Sequence, residues 1–87
     1  MNKSEALAIL ANSKNVRFVD AVKVATAYFG APRIKGSHHI FKMPWPGDPM
    51  VNLQPDGNKA KDYQVKQLVK AIKKMEDERE KTKTKTE

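Results

Sequence analysis

Two stretches of the chain carry apolar residues at helical spacing, and the segment between them alternates at a spacing of two. In the first, Phe18, Val22, Ala25 and Phe29 recur at i, i+4, i+7 and i+11 and line one helical face, with Asp20, Lys23 and Thr26 elsewhere on the wheel. Gly30 closes this helix and Pro32 prevents its restart. In the second, Val65, Leu68, Val69, Ile72 and Met75 predict a helix over residues 62–78, with Lys66, Lys70, Lys73 and Lys74 on its other faces. A shorter apolar patch, Leu7, Ile9 and Leu10, follows Ser4 and Glu5. Ser4 is the expected N-cap and Glu5 puts a negative charge in the first turn, so a short helix over residues 4–12 is expected to dock on the rest.

Between the two long helices, Arg33–Lys35 and His38–Met43 read as strands joined by a tight Gly36–Ser37 connection. The proline-rich loop PWPGDP follows, then a third strand over Met50–Gln54 and strong turn chemistry in Pro55-Asp56-Gly57-Asn58. The order α–α–β–β–β–α predicts an α+β fold, with a three-stranded antiparallel sheet packed on one face by helices. Residues 1–78 form a single domain in this reading. The charged segment 79–87, where apolar residues stop, is expected to fray or be disordered.

Successive strand residues point to opposite faces. Phe41 and Met43 are the core candidates of the second strand and bring His39 to the inner face. Val51 and Leu53 do the same in the third strand, and Ile34 in the first. The open face then carries Arg33, Lys35, His38, Lys42, Asn52 and Gln54, with Ile40 as an apolar exception half shielded by the loop. A one-residue slip in register would reverse the two faces.

Composition sharpens the picture. In 87 residues, 17 Lys and Arg stand against 10 Asp and Glu, a net charge of +7. Such a chain concentrates anions at its surface and meets nucleic acid quickly. A chain this short suits an open face or shallow groove better than a large enclosed pocket. Cysteine is absent, which excludes disulfide and thiolate chemistry. No apolar run is long enough to span a membrane, and the N-terminus lacks the pattern of a secretion signal. A cytoplasmic protein with no small-molecule cofactor is expected.

The only histidines, His38 and His39, are adjacent in KGSHHIF. Neighbouring strand residues diverge, and neither cysteine nor a nearby carboxylate pair adds ligands, so no metal site is expected. A strand histidine can be merely packed or solvated, a lysine run can be a wet face, and Trp45 can either stack a base or cap the core edge. The alternative for His38 is proton transfer. An imidazole can take a proton from a ribose 2′-hydroxyl or return one to a leaving oxygen. Nearby Lys or Arg offsets charge growing on the reacting phosphate, Gly36 permits close backbone approach, and Ser37 can donate a hydrogen bond.

Gly36-Ser37-His38-His39-Ile40-Phe41-Lys42, then Val51-Asn52-Leu53-Gln54, Gly57-Asn58-Lys59-Ala60-Lys61 and Tyr63-Gln64-Val65, together resemble the HicA toxins of type II toxin–antitoxin systems, over residues 15–76. The resemblance implies a double-stranded-RNA-binding-domain-like fold and ribosome-independent mRNA endoribonuclease activity. It places the catalytic histidine at His38, directly after the Gly-Ser pair, and implies a HicB-like antitoxin covering the active face. The N-terminal helix, the length of PWPGDP and the charged tail depart from compact members of the family.

The expectation is therefore a toxin-type endoribonuclease that cleaves mRNA without a metal. His38 acts as general base or acid. Gly36, Ser37, Lys35 and Lys42 support the site, His39 is inward and structural or a helper, and Arg33, Lys59, Lys61, Asn52 and Gln54 bind RNA. Lys59 and Lys61 precede a helix N-terminus, which itself favours phosphate. Two rivals use the same basic face: a non-catalytic RNA-binding module, and a protein-interaction module for an acidic partner.

Overall fold

The computed structural model describes residues 1–47 and 49–85, with side chains through residue 80. Asp48 of the proline-rich loop and the last two residues of the tail lie outside the described residues. The chain is α+β. Helix α1 spans Lys3–Ile9, α2 Phe18–Phe29 and α3 Asp62–Lys85. Strands β1 (Arg33–Lys35), β2 (His38–Lys42) and β3 (Met50–Leu53) form an antiparallel sheet in the order β1-β2-β3. Two further strands, β4 (Pro55–Asp56) and β5 (Lys59–Ala60), make a separate small hairpin. Among the described residues no helix is long and apolar enough to cross a membrane.

Each helix end shows what holds it. The cap of α1 is Asn2 rather than Ser4: the Asn2 side chain accepts from the Glu5 N–H at 2.8 Å. Both residue types cap well, and the earlier one starts the helix sooner. The anchor of α1 is Ala6 and Leu10, both buried, while Ile9 stays 39% exposed. Helix α2 has no side-chain cap. Its Phe18 N–H instead donates to the Asn58 carbonyl at 2.9 Å, so the turn of the β4–β5 hairpin satisfies an orphan donor. At its other end Gly30 takes φ +83°, a left-handed conformation in which glycine lacks the penalty of other residues.

Register explains the faces. Ile34 pairs with His39 and His39 with Leu53, while Phe41 pairs with Val51, so these five share one side of the sheet. Phe41, Val51 and Leu53 are buried there against Val24, Ala25, Val65, Leu68 and Ile72. His39 is half-buried, with its ring edge-on to Phe18 at 5.0 Å between centroids. Ile34 does not join this core, contrary to expectation, and is 62% exposed. It lies on the three-residue edge strand, and the helical layer leaves it uncovered. The buried line of α2 is Ala21, Val24, Ala25 and Tyr28, with Phe18, Val22 and Phe29 only partly buried at its margin.

Helix α3 runs past residue 78, the expected end, through 79–85. The first residue beyond carries its own support: Arg79 sits over the Tyr28 ring at 5.6 Å and pairs with Glu76 at 3.1 Å, an i,i+3 contact on the helix surface.

At the start of α3 the Ser13 hydroxyl donates to the Asp62 carboxylate. That bond, followed by the nearby Lys66 and Lys14 charges, holds Asp62 below the ordinary aspartate range. A carboxyl whose folded value is depressed contributes stability above its unfolded value and loses it as pH falls through the folded one. Acid titration below about pH 4 should therefore weaken the docking of α3 onto the Ser13–Asn15 turn. In Asp62→Asn this part of the stability–pH curve should be flatter, as read by urea unfolding at a series of acidic pH values.

Candidate functional site

The two-residue turn Gly36–Ser37 brings β2 back along β1, with Gly36 at φ +61°. The pairing Lys35↔His38, Arg33↔Ile40, Ile40↔Asn52 and Lys42↔Met50 then sets Arg33, Lys35, His38, Ile40, Lys42, Met50 and Asn52 on the face away from the helices. Gln54, one residue past β3, continues the alternation onto this face.

His38 is exposed, and its ring is held by amides. Asn52 Nδ2 lies 3.1 Å from His38 Nδ1, and Gln54 Nε2 lies 3.2 Å from His38 Nε2. Asn52 Nδ2 also donates to Gln54 Oε1 at 3.1 Å. Behind them stands Gln64, in the first turn of α3 and only 2% exposed. Its Oε1 accepts from the Gln54 backbone N–H at 2.7 Å, and its Nε2 donates to Gln54 Oε1 at 2.9 Å. A buried amide is costly unless bonded, and Gln64 uses both ends on one residue.

On the same face runs a groove of about 320 Å³ lined by Phe29, Ala31, Arg33, Lys35, Ile40, Lys42 and Met50. Ile40 is half-buried as expected, but the surfaces around it in this groove are Phe29, Ala31 and Met50 rather than the proline-rich loop. Among the described residues no carboxylate pairs with Arg33, Lys35 or Lys42. The groove thus combines an apolar floor with unneutralised cations, which suits a polyanion carrying flat apolar groups.

Of the residues singled out from the sequence, Arg33, Lys35, His38, Lys42, Asn52 and Gln54 converge on this face, and Gly36 and Ser37 form its end. Lys59 and Lys61 do not join it: Lys59 lies on the β4–β5 hairpin and Lys61 at the junction into α3. They approach the site only through their elements, since α3 delivers Gln64 to Gln54. Trp45 is half-buried, edge-on to Phe29 at 6.3 Å, with the Lys74 ammonium 5.0 Å above its ring, so it caps the core edge. Among the described residues no three His, Asp or Glu side chains gather at metal-binding distance.

Gln64 is the site residue that sequence reasoning did not single out. Its signal was present: it falls at i−4 from Leu68 and i−8 from Ile72, a polar residue on the apolar stripe of α3. Comparisons with family models, with curated proteins and with solved structures give no match for this chain.

Proposed function

We propose that this chain is an mRNA-cleaving endoribonuclease of the HicA toxin type, independent of metal and neutralised by a HicB-like antitoxin protein. The observation that carries the reading is an exposed imidazole, each ring nitrogen within hydrogen-bond reach of an amide, on an open sheet face whose three cations no carboxylate pairs among the described residues. The run α2–β1–β2–β3–α3 has the element order of a double-stranded-RNA-binding domain, with α1 and the β4–β5 hairpin as additions. The KGSHHIF, VNLQ and GNKAK segments supply the family resemblance.

RNA carries its own nucleophile, so little machinery is required. The ribose 2′-oxygen attacks the adjacent phosphorus as its proton passes to a base, and the phosphorus–5′-oxygen bond breaks as that oxygen gains a proton. The products are a 2′,3′-cyclic phosphate and a 5′-hydroxyl. His38 serves as base or acid in this scheme. Lys35, its cross-strand neighbour, faces the growing phosphate charge, and Lys42, four residues along β2, a flanking phosphate. Gly36 and Ser37 leave the turn open to the scissile phosphate, and Arg33, Asn52 and Gln54 contact the flanking chain. Lys59 and Lys61 lie off this face, on the β4–β5 hairpin and at the start of α3, and contact RNA only where it runs past the sheet.

The direct test is cleavage of single-stranded RNA by purified protein in EDTA. Loss of activity in EDTA would sink the metal-free mechanism. The cations give a separate prediction. Each phosphate contact on a single strand steepens the fall of log K with log salt by about 0.7. Single Gln variants of Arg33, Lys35 and Lys42 should each flatten that slope by about this amount in RNA-binding titrations. Unchanged slopes in all three would place the nucleic acid elsewhere. A non-catalytic binding module would show the same slopes with no product.

A further inference from the structure

We infer that Gln64 is a positioning residue which, through Gln54, makes Nε2 the lone-pair nitrogen of neutral His38 and Nδ1 the protonated one. The backbone N–H of Gln54 can only donate, so the Gln64 atom 2.7 Å away is its carbonyl oxygen. The other end of Gln64 is then NH₂, a donor. The Gln54 side-chain atom 2.9 Å from it must accept, and is the oxygen. Gln54 therefore turns its own NH₂ toward His38 Nε2 at 3.2 Å. A neutral imidazole has one N–H and one lone pair, so Nε2 accepts and the proton resides on Nδ1.

The Asn52 contact is the one that yields. Asn52 Nδ2 also faces Nδ1, at 3.1 Å, and one ring cannot accept from both amides. Asn52 Nδ2 already donates to Gln54 Oε1, whereas the Gln54 NH₂ has His38 as its partner, so releasing Asn52 sacrifices less. A core position on α3 that a leucine would fill with less desolvation is thus used to orient a surface ring two residues removed in the hydrogen-bond chain. If His38 transfers protons as proposed, Nε2 is the nitrogen that takes the ribose proton. The Gln54 N–H then occupies, in the resting protein, the position from which the hydroxyl would donate.

The test reads the ring directly. Nitrogen-15 NMR of His38 in the full chain, in solution alkaline enough to keep imidazole neutral, distinguishes the two tautomers. A free histidine favours the Nε2–H form, so a majority Nδ1–H form in the wild type is the expected and diagnostic result. Gln54→Glu offers only oxygens to both Gln64 and His38 and should reverse the majority to Nε2–H. Gln64→Met, of similar size, removes one of the two donors that hold Gln54 Oε1, leaves Asn52 Nδ2 as the other, and should shift the ring part of the way toward the free-histidine preference. A wild-type ring that is mainly Nε2–H overturns the inference. So does an Nδ1–H majority that persists in Gln54→Glu, the variant that decides the matter should Gln64→Met fail to fold. No RNA is present, so a chain inactive on RNA would still give a decisive tautomer, and the endoribonuclease reading stands or falls separately.

Discussion

Replacing His38 with alanine is expected to slow RNA cleavage by about 10²–10⁴-fold, the range attributed to one positioned acid or base. The fold should hardly notice. His38 is exposed, so its removal leaves no cavity, and such surface changes usually stay within about 0.5 kcal/mol. Asn52 and Gln54 lose a partner that water can replace, while Gln64 keeps both of its bonds to Gln54. Wild type and variant should be purified in parallel, so that a contaminating nuclease appears in both. The readout is cleavage of end-labelled single-stranded RNA in EDTA, with circular dichroism as the check on folding. Equal cleavage by the two proteins would remove His38 from the chemistry. Salt-sensitive binding by both, with no product from either, would favour the binding module.

The second large effect is on stability. Phe41 is 1% exposed at the centre of β2, paired with Val51 and backed by the helices. Phe41→Ala should destabilise the domain by about 3–5 kcal/mol. Small proteins are stable by only about 5–15 kcal/mol, so the variant should sit near the edge of folding. In a domain of this size each kcal/mol moves Tm by about 4–8 °C, which predicts a drop of more than about 12 °C. Urea and thermal unfolding measure it. A loss below about 1 kcal/mol would mean that Phe41 does not face the helices, and the register that brings His38 to the open face would fall with it. The same substitution thus tests the foundation of the site as well as the core.

The parts of the fold that could be read from the sequence are those with a long, regular period. Helix α2 matches its expected range, because twelve residues of helical spacing end on Gly30 and Pro32. The faces of β2 and β3 follow from alternation alone, with Phe41, Val51 and Leu53 inside and His38, Lys42 and Asn52 outside. The β4–β5 hairpin was visible only as a turn, since two-residue strands carry no period. Ile34 alternates correctly but remains exposed, because alternation assigns a side and says nothing of how far the helices reach. The burial of Gln64 is legible from its place on the apolar stripe of α3, but what it bonds is not. Its partner lies ten residues away on another element, and the pairing of two amide side chains leaves no trace in spacing.

The placement of Trp45 has a spectroscopic consequence. It is the chain's single tryptophan, so all indole emission arises from one ring, carried by the proline-rich loop and set between Phe29 of α2 and Lys74 of α3. A fluorescence trace of unfolding therefore follows the separation of that three-way junction. Neither His38 nor the amides that hold it emit, so events around the imidazole call for a dye on the RNA rather than for the protein's own light.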